Sequence, residues 1–307
     1  MIQPHGHGLL VAVSFLSLWS LYTFCGLLIA KVWLVPSAAF DMPDFLARWR
    51  QMLQECLALL TVAGVLLLLV RTAQMDDSSV VEALPDVPIV LTKTHFGLIW
   101  CIHLMALGLL WVCCSVFSAG RSSNRWMVIA VGGTLLLAFT YSASSHASDR
   151  GDFTLSELND WFHIISTSLW GGAILVSAIF VLPILRTQGS LMSLIAIRLS
   201  NLSGVALVLV LATGVGNVLL RLPSWDALTG TGYGRVLMAK LFIVGVMILI
   251  GAFNRFALIS RIQRRVADPS FPIEKPVSLI FRALMVDTAF VVVAMMLAAF
   301  LIQNESY

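Results

Sequence analysis

The chain has 307 residues, of which 59% are hydrophobic and 11% charged, with a net charge of +3 and a mean hydropathy of +0.93. Soluble domains carry roughly a quarter charged residues, so this apolar surplus exceeds what one aqueous core can bury, and most of the chain must be solvated by lipid. The Lys and Arg residues are scattered over short connections rather than gathered into a patch, so nucleic acid is not an implied partner.

A bilayer core of about 30 Å needs roughly 20 apolar residues per helix. Eight segments meet that need: 8–30, 52–70, 95–117, 126–145, 159–182, 200–220, 236–257 and 278–302. The expectation is therefore a single all-α domain over 1–307, a polytopic transmembrane bundle of eight helices. The first apolar run is long enough to span and lacks a basic flank, so it reads as a helix and not as a cleavable signal. Connections such as 75–88, 148–157 and 222–234 are short and carry Pro, Gly, Asp and Ser; none suggests a second folded domain, and no internal repeat is evident.

Cations set the expected orientation. Connections after the first, third, fifth and seventh segments hold thirteen Lys and Arg residues, against five in the termini and the remaining connections. The former are expected in the cytoplasm and both termini outside it.

That orientation places all six histidines on the outer side. His5 and His7 precede the first segment, His95 opens the third, and His103 lies eight residues deeper, about 12 Å along the axis. His146 closes the fourth segment and His163 lies just inside the fifth. Asp160 and His163, three residues apart, project from one helix face, and a short loop returns the chain from His146 to the same bundle end. Imidazole suits copper and zinc, so His146, Asp160 and His163 form the main candidate metal site. The plainer reading makes Asp160 a helix cap and His163 an interfacial hydrogen-bonding residue. Asp287 falls near mid-membrane, where an unpaired ionisable group is costly, and Lys240 either pairs with it or snorkels outward. Thr213 and Asn217 share a face and read as interhelical hydrogen-bonding residues. Met295 lies eight residues beyond Asp287, offset by about 80°, so it or Met296 can face the same interior. Cys25, Cys56, Cys101, Cys113 and Cys114 sit inside apolar runs without metal-ligand spacing and read as packing residues.

Several stretches in order resemble the copper resistance protein D (CopD) family of bacterial inner-membrane proteins. They are Thr94-His95-Phe96-Gly97, Ser144-Ser145-His146, Asp160-Trp161-Phe162-His163 with Trp170-Gly171-Gly172, Arg198-Leu199-Ser200, Ala212-Thr213-Gly214, Tyr233-Gly234-Arg235 through Lys240, and Asn254-Arg255. The resemblance spans about 94–300. The chain departs from it at His103, where the family often has arginine, and at Asp287, where it commonly has glutamate.

The resemblance implies copper as cargo, imported or delivered across the inner membrane, and a separate periplasmic copper-binding CopC-like partner. On this reading copper is captured by His146, His163 and Asp160, assisted by His5, His7 and His95. It then passes His103, Met295 and the level of Asp287, a candidate proton acceptor. Two other readings stand beside it. One is a membrane haem b protein using His103 with His163 or His95 with His146 as axial ligands. The other is an assembly factor handing copper to a copper-dependent membrane enzyme. No H-E-x-x-H or G-x-S-x-G motif is present, and the chain is not expected to be an enzyme.

Overall fold

A computed structural model describes residues 4–120, 123–145, 153–185, 189–222, 224–259 and 274–303. Its eight long helices are α1 (Pro4–Ile29), α2 (Pro43–Met75), α3 (His95–Ser118), α4 (Asn124–Ala143), α5 (Leu155–Val176), α6 (Gly189–Arg221), α7 (Gly232–Phe253) and α8 (Glu274–Gln303). All eight are long and apolar enough to cross a membrane, and no strand occurs among the described residues. The bundle end where α1 begins and α8 stops is called the near end; the other is the far end. Gln303 of α8 joins them at the near end, donating to Ser14 of α1 at 2.8 Å and accepting from Arg71 of α2 at 3.1 Å.

Hydropathy locates every span but clips several. The helix expected at 52–70 runs over Pro43–Met75, 33 residues or about 50 Å, because Asp44, Arg48, Arg50 and Gln51 are helical without being apolar. A rod of that length overhangs the hydrocarbon into the headgroup zone. The 75–88 connection contains a 3-10 turn, Leu84–Asp86, and leads into a short helix, Val87–Lys93, that packs against α3.

The central pair is α1 and α5. In their membrane windows 67% and 78% of residues are buried, against 17% for α6 and 6% for α7, which face lipid. Around the pair, α2 and α8 pack on α1, while α4 and α6 pack on α5. Two glycines set how close α1 and α5 come. A Cβ on Gly26 would fall 2.6 Å from the Gly172 carbonyl carbon, and one on Gly172 would overlap the carbonyl of Tyr22. The Trp170-Gly171-Gly172 stretch is thus a backbone-to-backbone contact, the close approach that small residues permit between membrane helices.

One starting device appears twice. Thr94 accepts from the Gly97 N–H at 2.9 Å to begin α3, and Thr231 accepts from the Gly234 N–H at 3.0 Å to begin α7. In both, the glycine lies under the backbone of a short preceding helix, Val87–Lys93 or Ala227–Gly230, where a Cβ would collide with a carbonyl. The sequence shows no repeat at this scale because only the Thr-x-Phe/Tyr-Gly signature is shared.

At the far end α1, α5 and α7 each switch to π-helical spacing, at Ala30–Leu34, Ser177–Val181 and Asn254–Ile259. Basic side chains bind backbone there. Arg198 donates to the Trp33 carbonyl at 2.9 Å, and Arg255 donates to the Ser200 carbonyl at 3.0 Å. These contacts account for the Arg198-Leu199-Ser200 and Asn254-Arg255 stretches.

Candidate functional site

The near-end polar seam lies between α5 and α6. Thr154 caps α5 by accepting from the Glu157 N–H at 3.3 Å, and the Glu157 carboxylate accepts from the Phe153 N–H. The cap is therefore Thr154, and Asp160 sits more than a turn inside the helix. Asn159, Asp160 and His163 share one face of α5. Thr213, Asn217 and Arg221, spaced by four, share one face of antiparallel α6.

These two faces interlock. Asn159 Nδ2 donates to the Thr213 carbonyl at 2.9 Å and to Asn217 Oδ1 at 2.8 Å. Asn217 Nδ2 donates to Asp160 Oδ1 at 3.2 Å, and the same oxygen forms an ion pair with Arg221 at 2.9 Å. Gly216 makes room, since a Cβ there would strike Asn159, while a Cβ at Gly214 would only touch His163 Cε1 in ordinary contact at 3.5 Å. From α7, Lys240 lies within electrostatic reach of His163.

The hydrogen bonds assign the His163 tautomer. Thr213 spends its hydroxyl proton on the Leu209 carbonyl at 2.7 Å, so Thr213 Oγ1 accepts from His163 Nδ1–H at 2.9 Å. That leaves Nε2 with its lone pair, the state in which imidazole binds metal. The same arrangement recurs in α3 and α4. Thr140 donates to the Leu137 carbonyl at 2.7 Å and accepts from His103 Nδ1–H at 2.8 Å. His103 Nε2 points toward α2, where a Cβ on Gly64 would stand 3.1 Å away. With its ring nitrogens directed at α4 and α2, His103 does not face His163 as an axial haem partner.

The remaining candidates are dispersed. His95 is exposed at the start of α3, and His5 and His7 fall in the first turns of α1. His146 lies outside the described residues. Asp287 and Met295 occupy the buried face of α8, at 6% and 2% exposure, while Met296 is turned outward. Lys240 lies about 12 Å from the near end of its helix and Asp287 about 24 Å from the near end of α8. Cys113 and Cys114 are buried in the core, as packing residues are. Among the described residues, no three His, Cys, Asp or Glu side chains converge into a metal cage. Asp160 is engaged by Arg221 and Asn217.

The chain matches two family models: copper resistance protein D over residues 193–301, and copper resistance protein D-like, N-terminal domain, over residues 1–153. This chain belongs to the copper resistance protein D family. Among its relatives it is 25% identical over 215 residues to "Copper resistance protein D" of Pseudomonas syringae pv. tomato, covering 67% of this chain and 68% of that one. It is 24% identical over 258 residues to "Inner membrane protein YebZ" of Escherichia coli K12, covering 83% and 86%. With eight spanning helices, it is a multi-pass inner-membrane member of the CopD family. The family's reach extends to the first residues, beyond the 94–300 stretch whose motifs carry the resemblance.

Sequence reasoning missed two members of the seam. Arg221 looked like one more flanking cation and Asn159 drew no notice. Their signal was available: on an antiparallel pair, the 213, 217, 221 stripe faces the 163, 160, 159 stripe, with Asp160 meeting both Asn217 and Arg221.

Proposed function

We propose that this CopD-family protein carries or delivers copper across the bacterial inner membrane, taking the ion at the near end. The observation that supports this most is the His163 imidazole. Thr213 holds it in the Nδ1–H form at the mouth of the spanning region, with Nε2 open for a metal. His146 and His95, on the same end by chain order, are the further nitrogen donors of the capture step. In this reading Asp160 does not ligate copper; it neutralises Arg221 and keeps two cations, Arg221 and Lys240, from both opposing the incoming ion. Met295 and Asp287 on the buried face of α8 lie along the inward route. A transport path favours several moderate sites over one tight cage, because the ion must also leave. The excess of cations in the far-end connections makes that end cytoplasmic and both termini periplasmic. A separate periplasmic copper-binding protein of the CopC kind is the proposed donor.

The test is copper content and visible spectrum of the purified protein, with copper accumulation in cells, for wild type and His163→Ala. Stoichiometric copper in wild type, at least tenfold weaker binding in His163→Ala and reduced accumulation are expected. Unchanged binding and accumulation in His163→Ala would overturn the reading, as would a Soret band that shifts on reduction.

A further inference from the structure

The first four helices hold a second polar nest, apart from the α5–α6 seam. His103 is fully buried, Ser17 of α1 is 1% exposed and Trp100 of α3 is 3% exposed. The Trp100 ring centroid lies 4.2 Å from that of His103, and Tyr141 of α4 meets His103 edge-on at 5.3 Å. Tyr141 in turn neighbours the Ser17 hydroxyl. Two buried polar atoms here, Trp100 Nε1 and His103 Nε2, have no hydrogen-bond partner in the protein, and the Ser17 and Tyr141 hydroxyls beside them have only each other within reach. Orphaned buried polar atoms are rare in folded proteins, and a donor and an acceptor orphaned side by side call for a shared partner.

The donor set selects that partner. His103 Nε2 offers a lone pair, because Nδ1 carries the proton given to Thr140. Trp100 Nε1–H can only donate, and the two hydroxyls do either. A cation would find one nitrogen ligand and an indole N–H that repels it. Water fits: it donates to Nε2, accepts from the indole, and uses its second proton on one hydroxyl, which leaves the other hydroxyl to bond its neighbour. A buried water characteristically makes about three such bonds. We propose that Ser17, Trp100, His103 and Tyr141 enclose a bound-water site between α1, α2, α3 and α4, on the side of His103 Nε2 that faces Gly64 of α2. His103 is then the hydrated imidazole of the amino-terminal half and not a copper ligand. Its proton exchange runs through the trapped water, about 12 Å along α3 from its near end.

X-ray hydroxyl-radical footprinting of the full chain in lipid nanodiscs tests this, because radicals form from water at the side chain they label. Trp49 is the internal control, since it is 1% exposed and its Nε1–H is already given to the Leu27 carbonyl at 2.9 Å. Trp100 is expected to label at least about tenfold faster than Trp49, and Tyr141→Phe, which removes one anchor and little volume, should lower Trp100 labelling at least threefold. Equal labelling of Trp100 and Trp49 would overturn the proposal. Labelling indifferent to Tyr141→Phe would assign it to bulk water and overturn it too, and loss of labelling on adding copper would make the site a cation site instead.

Discussion

Replacing Gly26 with alanine tests the claim that α1 and α5 meet backbone to backbone. The new methyl would stand 2.6 Å from the Gly172 carbonyl carbon and 2.7 Å from Val176 Cγ2. Ordinary contact begins at 3.4 Å and the Gly172 carbonyl oxygen would be nearer still, so the two helices would have to part by at least about 0.8 Å at that level. A gap of that size forfeits a quarter to half of the dispersion attraction along the contact, and overpacking of a tight core costs about 1–3 kcal/mol. The contact is backbone and cannot rotate away, so the expected loss is about 3 kcal/mol. At roughly 2 °C per kcal/mol for a chain of this size, Tm should fall by about 6 °C. The buried thiols of Cys56, Cys113 and Cys114 provide the assay, a thiol-reactive dye followed during heating in detergent. Gly108→Ala is the control, because a Cβ there meets nothing within 4 Å; it should leave Tm unchanged or raise it slightly. Equal melting of the two variants would refute the close-approach argument.

Two further outcomes follow from the polar seam. Asp160→Asn and Arg221→Met each break an ion pair whose side chains are only 13% and 19% exposed, at a cost of roughly 3 kcal/mol each. The double variant should cost clearly less than the sum, and strict additivity in the same melting assay would mean the pair does not interact. In protein labelled with 15N-histidine, His103 and His163 should both show a protonated Nδ1 and a bare Nε2 at neutral pH. Thr213→Val should disturb His163 alone, and an Nε2-protonated signal from either wild-type ring would contradict the assigned hydrogen bonds.

The spans were legible because lipid imposes one strong condition, a sustained apolar run, and residues 95–117 need only one added residue to become α3. What sequence could not give is which helices touch. Asp160 and His163 do share a face, but the i, i+3 spacing is silent about α6, whose Arg221 and Asn217 take the carboxylate. Thr213 and Asn217 were readable as hydrogen-bonding residues; their partners Asn159 and His163 were not assigned, since register between distant segments leaves no local mark. Gly172 was visible within a motif while Gly26, its counterpart, was not, because a backbone contact has no side-chain signature. Asp287 and Met295 share an inward face as the 80° offset allows.

The π turns ending α1, α5 and α7 have a mechanical consequence. An extra residue in one turn rotates everything beyond it by about 100° without interrupting the rod. In α5, which stays helical through Leu182–Leu185, one rod can therefore aim one stripe at its neighbours within the hydrocarbon and a differently rotated stripe beyond. Deleting one residue from Ala30–Leu34 would swing the chain that follows, including Val35, Ala39 and Phe40, off the core it now fills.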